Sequence, residues 1–212
     1  MAVSAKGRSM TTLYSSATCV DCHRVRFVLA EKGINVEIIE IETNPSAVAD
    51  LAQLNPYHET PTLVDRDLVL YGAGIICEYL DERYPHPPLM PVDPVSRARL
   101  RLARYRVMRD WYVMVGRILE ASGKALDAPR KELRESLSAS NELFELFDFL
   151  LSDDLTLVDC TLAPLLWRLP VYGVTLGKEA AAISEYMERL FARESFTTSL
   201  TEAEMELVEA IH

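Results

Sequence analysis

The feature that most constrains this chain is a single change in hydrophobic periodicity. From residue 11 to about 84, short runs rich in β-branched residues alternate with helically spaced ones, and beyond residue 93 only helical spacing remains. TTLYS at 11 to 15 reads as a strand, after which Val25, Val28 and Leu29 recur at helical spacing until Gly33 supplies a stop. INVEIIEI at 34 to 41 predicts a second strand, and Asn44-Pro45 predicts an N-cap with proline in the first turn of a helix ending near Leu54. Thr60 to Leu70 predicts a hairpin turning at Asp65-Arg66-Asp67, followed by a helix from about Gly74 to Arg83. The order βαβαββα predicts an α/β domain over 11–84.

From Pro94 the pattern predicts helix after helix: to about Ser122, from Pro129 to Leu151, from Thr156 to about Leu169, and from Glu179 to Ala192. Thr156 with Asp159 reads as a capping box, and LAPLLWRLP behind it predicts a helix buried on most sides, with Pro164 placed to kink it. Thr201 with Glu204 predicts the start of a short C-terminal helix. The expected organisation is therefore a flexible tail over 1–10, an α/β domain over 11–84, a proline-rich linker over 85–93 and an all-α domain over 94–212.

A net charge of −10 disfavours general attraction to a phosphate backbone. The one basic cluster, Arg97, Arg99, Arg101, Arg104, Arg106 and Arg109, alternates with Leu100, Leu102, Tyr105 and Met108. At helical spacing it spreads over more than one face, so a solvated helix surface is the expectation and a nucleic-acid groove the rival. No apolar signal region follows Lys6 and Arg8, and no run is long enough to cross a bilayer; the reading is a cytoplasmic protein without a membrane contact.

Four cysteines do not make a disulfide framework in such a chain. Cys19 and Cys22 form a C-x-x-C on a strand-to-helix turn, where amide N–H groups and the helix dipole stabilise a thiolate. Cys19 is then a candidate nucleophile and Cys22 its resolving partner, with Ser15 and Ser16 as alternative activating hydroxyls; the plain alternative is a core Cys22 beside a spectator Cys19. His23 is adjacent, but no second C-x-x-C or H-x-x-x-H appears, so no metal is expected.

ERYPHPPLMPVDP at 82 to 94 places five of the 11 prolines within ten positions, enough to stiffen a connector. A spacer needs no Tyr84, His86, Leu89 or Met90. Leu89 and Met90 read as core, whereas His86, between Pro85 and Pro87, is held as a pre-ordered donor and acceptor. Connector and contact surface both fit these residues.

A βαβαββα domain with Thr60-Pro61 before its third strand, joined to a helical domain, resembles the glutathione-transferase fold, a thioredoxin-like domain plus a helical bundle. That likeness implies a cis Pro61. HRVRFVLAEKGI, TPTLVDRDL, EYLDERYPHPPLMPV, LVDCTLAPLLWRLP and SLTEAE together resemble the stringent starvation protein A family, RNA-polymerase-associated members of that fold. The resemblance covers nearly the whole chain. It implies a homodimeric stress-response transcription regulator without transferase activity or cofactor. Such a regulator binds polymerase holoenzyme and its sigma factor through Tyr84, Pro85, His86 and Pro87, and meets promoter DNA only indirectly. Asp93 stands where relatives often carry an aromatic residue, which would change the polarity of that pocket. Glutathione-binding members usually place an acid followed by Ser or Thr at the helix after the hairpin; here Gly72 and Ala73 stand there. The enzymatic alternative is a glutathione-dependent thiol transferase or glutaredoxin-like oxidoreductase using Cys19 and Cys22.

Overall fold

The computed structural model describes residues 10–211, so the expected tail falls outside the described residues except for Met10. Contacts divide the chain into two units. The first runs to Pro87 and takes in Thr198–Met205; the second comprises Pro88–Thr197 and the residues from Glu206.

The first unit follows the predicted order: β1 (Thr12–Ser15), α1 (Val20–Glu31), β2 (Glu37–Glu40), α2 (Pro45–Leu54), β3 (Thr62–Asp65), β4 (Leu68–Tyr71) and α3 (Ala73–Arg83). The sheet order is β2-β1-β3-β4, with β1 parallel to β2 and antiparallel to β3, and β3 antiparallel to β4. β2 is shorter than the eight-residue run suggests because β1 offers only Thr12 to Ser15 for pairing, matched to Glu37 to Glu40. Alternation sends Tyr14 and Val64 to one face, where they pack with Ala47 and Leu51 of α2. Leu13 and Leu63, paired in register and fully buried, point to the other face. The Thr60–Pro61 bond is cis, and so is His86–Pro87, which nothing in the sequence announced.

The end of α1 positions a functional group. Gly33 has φ 61°, its N–H donates to the Ala30 carbonyl, and the Ile34 N–H donates back to Leu29, a glycine-dependent stop that fixes Lys32 as the cap.

The second unit opens with α4 (Pro94–Arg106), which passes through a π-helical turn at Val107–Tyr112 into α5 (Val113–Glu120), then α6 (Asp127–Ala139). The helix expected to reach Leu151 ends at Ala139. Ser138, Ser140 and Asn141 are weak helix formers whose side chains compete for backbone partners. Asn141 uses its Oδ1 to accept from the N–H groups of Ala182 and Ile183 at 3.0 and 3.3 Å. Of the Leu/Phe pattern beyond it, Phe144 and Leu150 are buried while Leu143, Leu146, Phe147 and Leu151 are exposed, and Leu151 sits at φ 65°.

α7 (Leu157–Trp167), α8 (Ala181–Phe191), α9 (Glu194–Ser199) and α10 (Glu202–Glu209) follow; α9 was not anticipated. Helix α7 is buried along nearly its whole length, and its expected capping box is present. Asp159 is the hub of this unit: its oxygens accept from the Thr156 N–H at 2.7 Å, the Thr156 hydroxyl at 2.8 Å, the Leu150 N–H at 2.9 Å and the Tyr186 hydroxyl at 2.6 Å. Burial pushes this carboxyl's pKa up despite those donors. Glu204 and Thr201 exchange the second predicted pair of capping bonds.

Candidate functional site

The Pro-His-Pro segment begins where α3 stops. Tyr84 is the cap residue, its N–H donating to the Leu80 carbonyl at 3.0 Å. Pro85 and Pro87 have no N–H, so apart from the His86 N–H the loop's backbone can be held from inside only through its carbonyls. A buried lysine does this. Lys32 Nζ donates to the Tyr84 and Pro87 carbonyls, each at 2.7 Å, and pairs with Asp81 Oδ1 at 2.8 Å. Its side chain is 0% exposed and that of Asp81 7%, so the three acceptors satisfy an ammonium that water does not reach. With both ends of the turn fixed, Pro85, His86 and Pro87 face outward, while Tyr84 is half-buried with the Arg83 guanidinium 5.4 Å from its ring centroid. Sequence reasoning did not pick out Lys32 and Asp81 as the groups that hold this loop. The available signal was a lysine immediately before a helix-stopping glycine, yet lysine is so rarely buried that its chemistry gave no warning.

The second half of the proline run belongs to the second unit. Leu89 and Met90 are buried, as expected, and the Leu89 carbonyl accepts from the Leu157 N–H at 3.0 Å. A groove of about 420 Å³ lies over Pro88, Leu89, Pro91, Arg99, Phe147 and Leu155. Asp93 caps α4, its Oδ1 accepting from the Ser96 N–H at 2.8 Å, a bond that holds its carboxyl below the ordinary range. This carboxylate is occupied by the helix it opens.

At the other end of α1, Cys19 is the N-cap, with its Sγ accepting from the Cys22 N–H at 3.4 Å. Cys22 is fully buried and its Sγ accepts from the Ser16 N–H at 3.3 Å. The Cys19 thiol, as a hydrogen-bond donor, together with the Ser16 N–H outweighs burial and lowers the Cys22 pKa to about 6, while the Cys22 neighbour and burial push Cys19 up. The Ser16 hydroxyl turns away to Glu42, and Ser15 Oγ accepts from Arg26 at 3.0 Å.

α3 starts with Gly72 at φ 81° and no side-chain cap, followed by a buried Ala73. Neither side chain can hold the polar end of a peptide. The arginines of α4 and its continuation divide as their spacing suggested: Arg99, Arg101, Arg106 and Arg109 are exposed, Arg97 and Arg104 half-buried. Among the described residues, no group of three or more His, Cys, Asp or Glu is placed to hold a metal ion.

One constellation looks catalytic and is not. His23 Nε2 lies 2.9 Å from Ser199 Oγ, and His23 Nδ1 lies 3.8 Å from Glu204 Oε1. His23 is 0%, Ser199 3% and Glu204 1% exposed, so no substrate reaches the hydroxyl. Glu204 also pairs with Arg26 at 2.6 Å, and Arg26 Nε donates to the Ser199 carbonyl at 2.9 Å. The cluster fastens Thr198–Met205 onto α1.

Residues 13–88 match the glutathione S-transferase N-terminal domain and residues 100–194 the glutathione S-transferase C-terminal domain. The Tau class glutathione S-transferase of mango, Mangifera indica, superposes with a TM-score of 0.81 at 25% identity, covering 96% of this chain and 98% of that one. Ure2p in complex with glutathione shares the fold at a TM-score of 0.79 and 19% identity, over 92% and 95% of the two chains. These matches define the class, a glutathione-S-transferase fold with a thioredoxin-like first domain. Within that class, the stringent starvation protein A homologue of Coxiella burnetii is 48% identical over 95% of this chain and 97% of its own. That of Pasteurella multocida is 48% identical over 94% of each. The chain belongs to the stringent starvation protein A family.

Proposed function

We propose that this protein is a non-enzymatic transcription regulator that binds RNA polymerase holoenzyme, sigma factor included, through Tyr84, Pro85, His86 and Pro87. It works as a cytoplasmic homodimer and meets promoter DNA only through the polymerase. The observation that carries this reading is the loop pinned from beneath: the Lys32 ammonium holds the carbonyls at both ends of an exposed Pro-His-Pro turn. An epitope ordered before its partner arrives loses little conformational entropy on binding, which is how a small surface reaches useful affinity. Family membership supports the same reading.

A transferase reading draws on the lowered Cys22 thiol. Against it stand Gly72 and Ala73, which lack the acid and hydroxyl that hold glutathione's γ-glutamyl end; losing such contacts costs on the order of a few kcal/mol, enough to take micromolar affinity to millimolar.

The test is retention of purified polymerase holoenzyme by the tagged protein, wild type beside His86→Ala, with retention on glutathione resin measured in parallel. Polymerase retained by wild type alone, with no retention on glutathione, supports the proposal. Equal retention of polymerase by both proteins, or by neither, refutes the assignment of the loop.

A further inference from the structure

Cys19 and Cys22 are the one pair among the four cysteines that a single helix start brings together, with Cys19 Sγ 3.4 Å from the Cys22 amide nitrogen; Cys77 and Cys160 are each buried elsewhere. The pair is also asymmetric. Cys19 is partly exposed at the helix cap, whereas Cys22 lies fully buried behind it and accepts the Ser16 N–H. Cys19 is the more accessible residue of the two, and its sulfur lies against the Cys22 backbone, an arrangement that spectator thiols do not need.

We propose that Cys19 and Cys22 form a reversible oxidation site, in which a hydroperoxide converts the two thiols to an intramolecular disulfide. Loss of the Cys19 proton to solvent gives a thiolate that the Cys22 N–H and the start of α1 stabilise. The Cys19 thiolate attacks the distal oxygen of the hydroperoxide. An S–O bond forms, the O–O bond breaks, and the departing alkoxide takes up from solvent the proton that Cys19 released, leaving Cys19 as a sulfenic acid. The Cys22 sulfur then attacks the Cys19 sulfur, and the displaced hydroxide takes the Cys22 proton and leaves as water. In sum, two thiols and one hydroperoxide give one disulfide, one alcohol and one water, a two-electron oxidation that a dithiol reverses.

This site is independent of the polymerase-binding loop, and its test uses the intact chain. Purified protein is exposed to hydrogen peroxide, its remaining thiols are alkylated, and each cysteine is mapped by mass spectrometry with and without dithiothreitol. The expected result is joint loss of alkylation at Cys19 and Cys22, recovery of both with dithiothreitol, and no change at Cys77 or Cys160. In Cys22→Ser, which lacks the resolving sulfur, Cys19 should instead be trapped by dimedone as the sulfenic acid. Any of three results overturns the proposal: Cys19 advancing to sulfinic acid while Cys22 stays alkylatable, a Cys19 bridge between two chains, or both thiols surviving peroxide that fully oxidises a cysteine peptide. A wild-type disulfide with no dimedone adduct in a folded Cys22→Ser would overturn the assignment of Cys19 as the first sulfur attacked. Where that variant does not fold, the wild-type map decides alone.

Discussion

Helix α1 ends in a thiol pair on one side and in a buried ammonium on the other. Its N-terminus carries Cys19 and Cys22, and its C-terminus carries Lys32. The helix dipole favours both placements, since a thiolate gains at the positive end and a cation at the negative end. The two groups nevertheless do different work. At the N-terminus the protein turns a hydrogen-bonding network onto the reactive atoms themselves, with the Ser16 and Cys22 N–H groups directed at sulfur. At the C-terminus the network is directed at backbone carbonyls, and the side chains it presents, Pro85, His86 and Pro87, lie outside it. On the proposed roles, the thiol end has its electronics set by neighbours, and the loop end has its shape set and its side chains left to the partner.

The largest expected effect comes from Lys32→Met. It takes the ammonium away from the buried Asp81 carboxylate and strips both loop carbonyls of their donor, so chemical denaturation should show a loss of about 3–5 kcal/mol. Adding Asp81→Leu should return much of that stability, because the buried carboxylate that lost its ammonium is gone. Polymerase retention should stay low in the double variant, since nothing then pins Tyr84 and Pro87. Recovery of stability and retention together would mean that the loop holds its shape without the lysine, and the contrast between the two helix ends would fail.

The legible and illegible parts of the molecule divide along the same physical line. Local signals carried well: the βαβαββα order, the Gly33 stop, and the boxes at Thr156–Asp159 and Thr201–Glu204 are patterns of near neighbours. The expected helix through Leu151 failed because apolar spacing continues past Asn141, while the backbone is redirected by a side chain that caps α8 some forty residues further on. At the candidate site, the exposed Pro-His-Pro was readable as a pattern, but its anchor is an ion pair between α1 and α3 that no local pattern encodes. Position at a helix start pointed to Cys19 as the low-pKa thiol. The lowering at Cys22 depends on the Ser16 N–H as well, a contact across the strand-to-helix turn.

Between its ends α1 carries Arg26, which pairs with the Glu204 carboxylate at 2.6 Å. Glu204→Gln keeps an oxygen for the Thr201 N–H but removes the charge facing the guanidinium. The loss should be about 1.5–3 kcal/mol in urea unfolding, smaller than for Lys32→Met because Arg26 still donates to Ser199 and Ser15. A loss as large as that of Lys32→Met would show that the middle of the helix, and not its C-terminal end, bears the main electrostatic load.

The thiol end should respond to pH where the loop end does not. Cys22 has its pKa lowered on folding from about 9.0 to about 6, so it contributes stability that is complete above the unfolded value and is lost as pH falls through about 6. Ultraviolet thiolate absorbance should rise with a midpoint near 6 in the folded protein. In Cys19→Ala, which removes the largest cause of the lowering, that midpoint should move up toward the ordinary thiol range. An unmoved midpoint would assign the lowered pKa to the Ser16 N–H with the Thr60 and Ser15 side chains, and remove Cys19 from the account.

The smallest effect on stability belongs to His86→Ala. The imidazole is exposed on a loop whose shape is held through Tyr84 and Pro87, so unfolding free energy should change by no more than about 0.5 kcal/mol. If His86 is a binding anchor, its removal should cost about 2 kcal/mol in polymerase affinity, roughly thirty-fold in Kd. The informative design crosses the two ends: His86→Ala and Cys19→Ala are each measured for polymerase affinity and for thiolate titration. Division of labour requires that His86→Ala lower affinity and leave the titration midpoint alone, and that Cys19→Ala do the reverse. A loss of affinity in Cys19→Ala with an intact fold would mean that the thiol pair and the loop are energetically linked along α1, and the helix would then act as one element biased from either end.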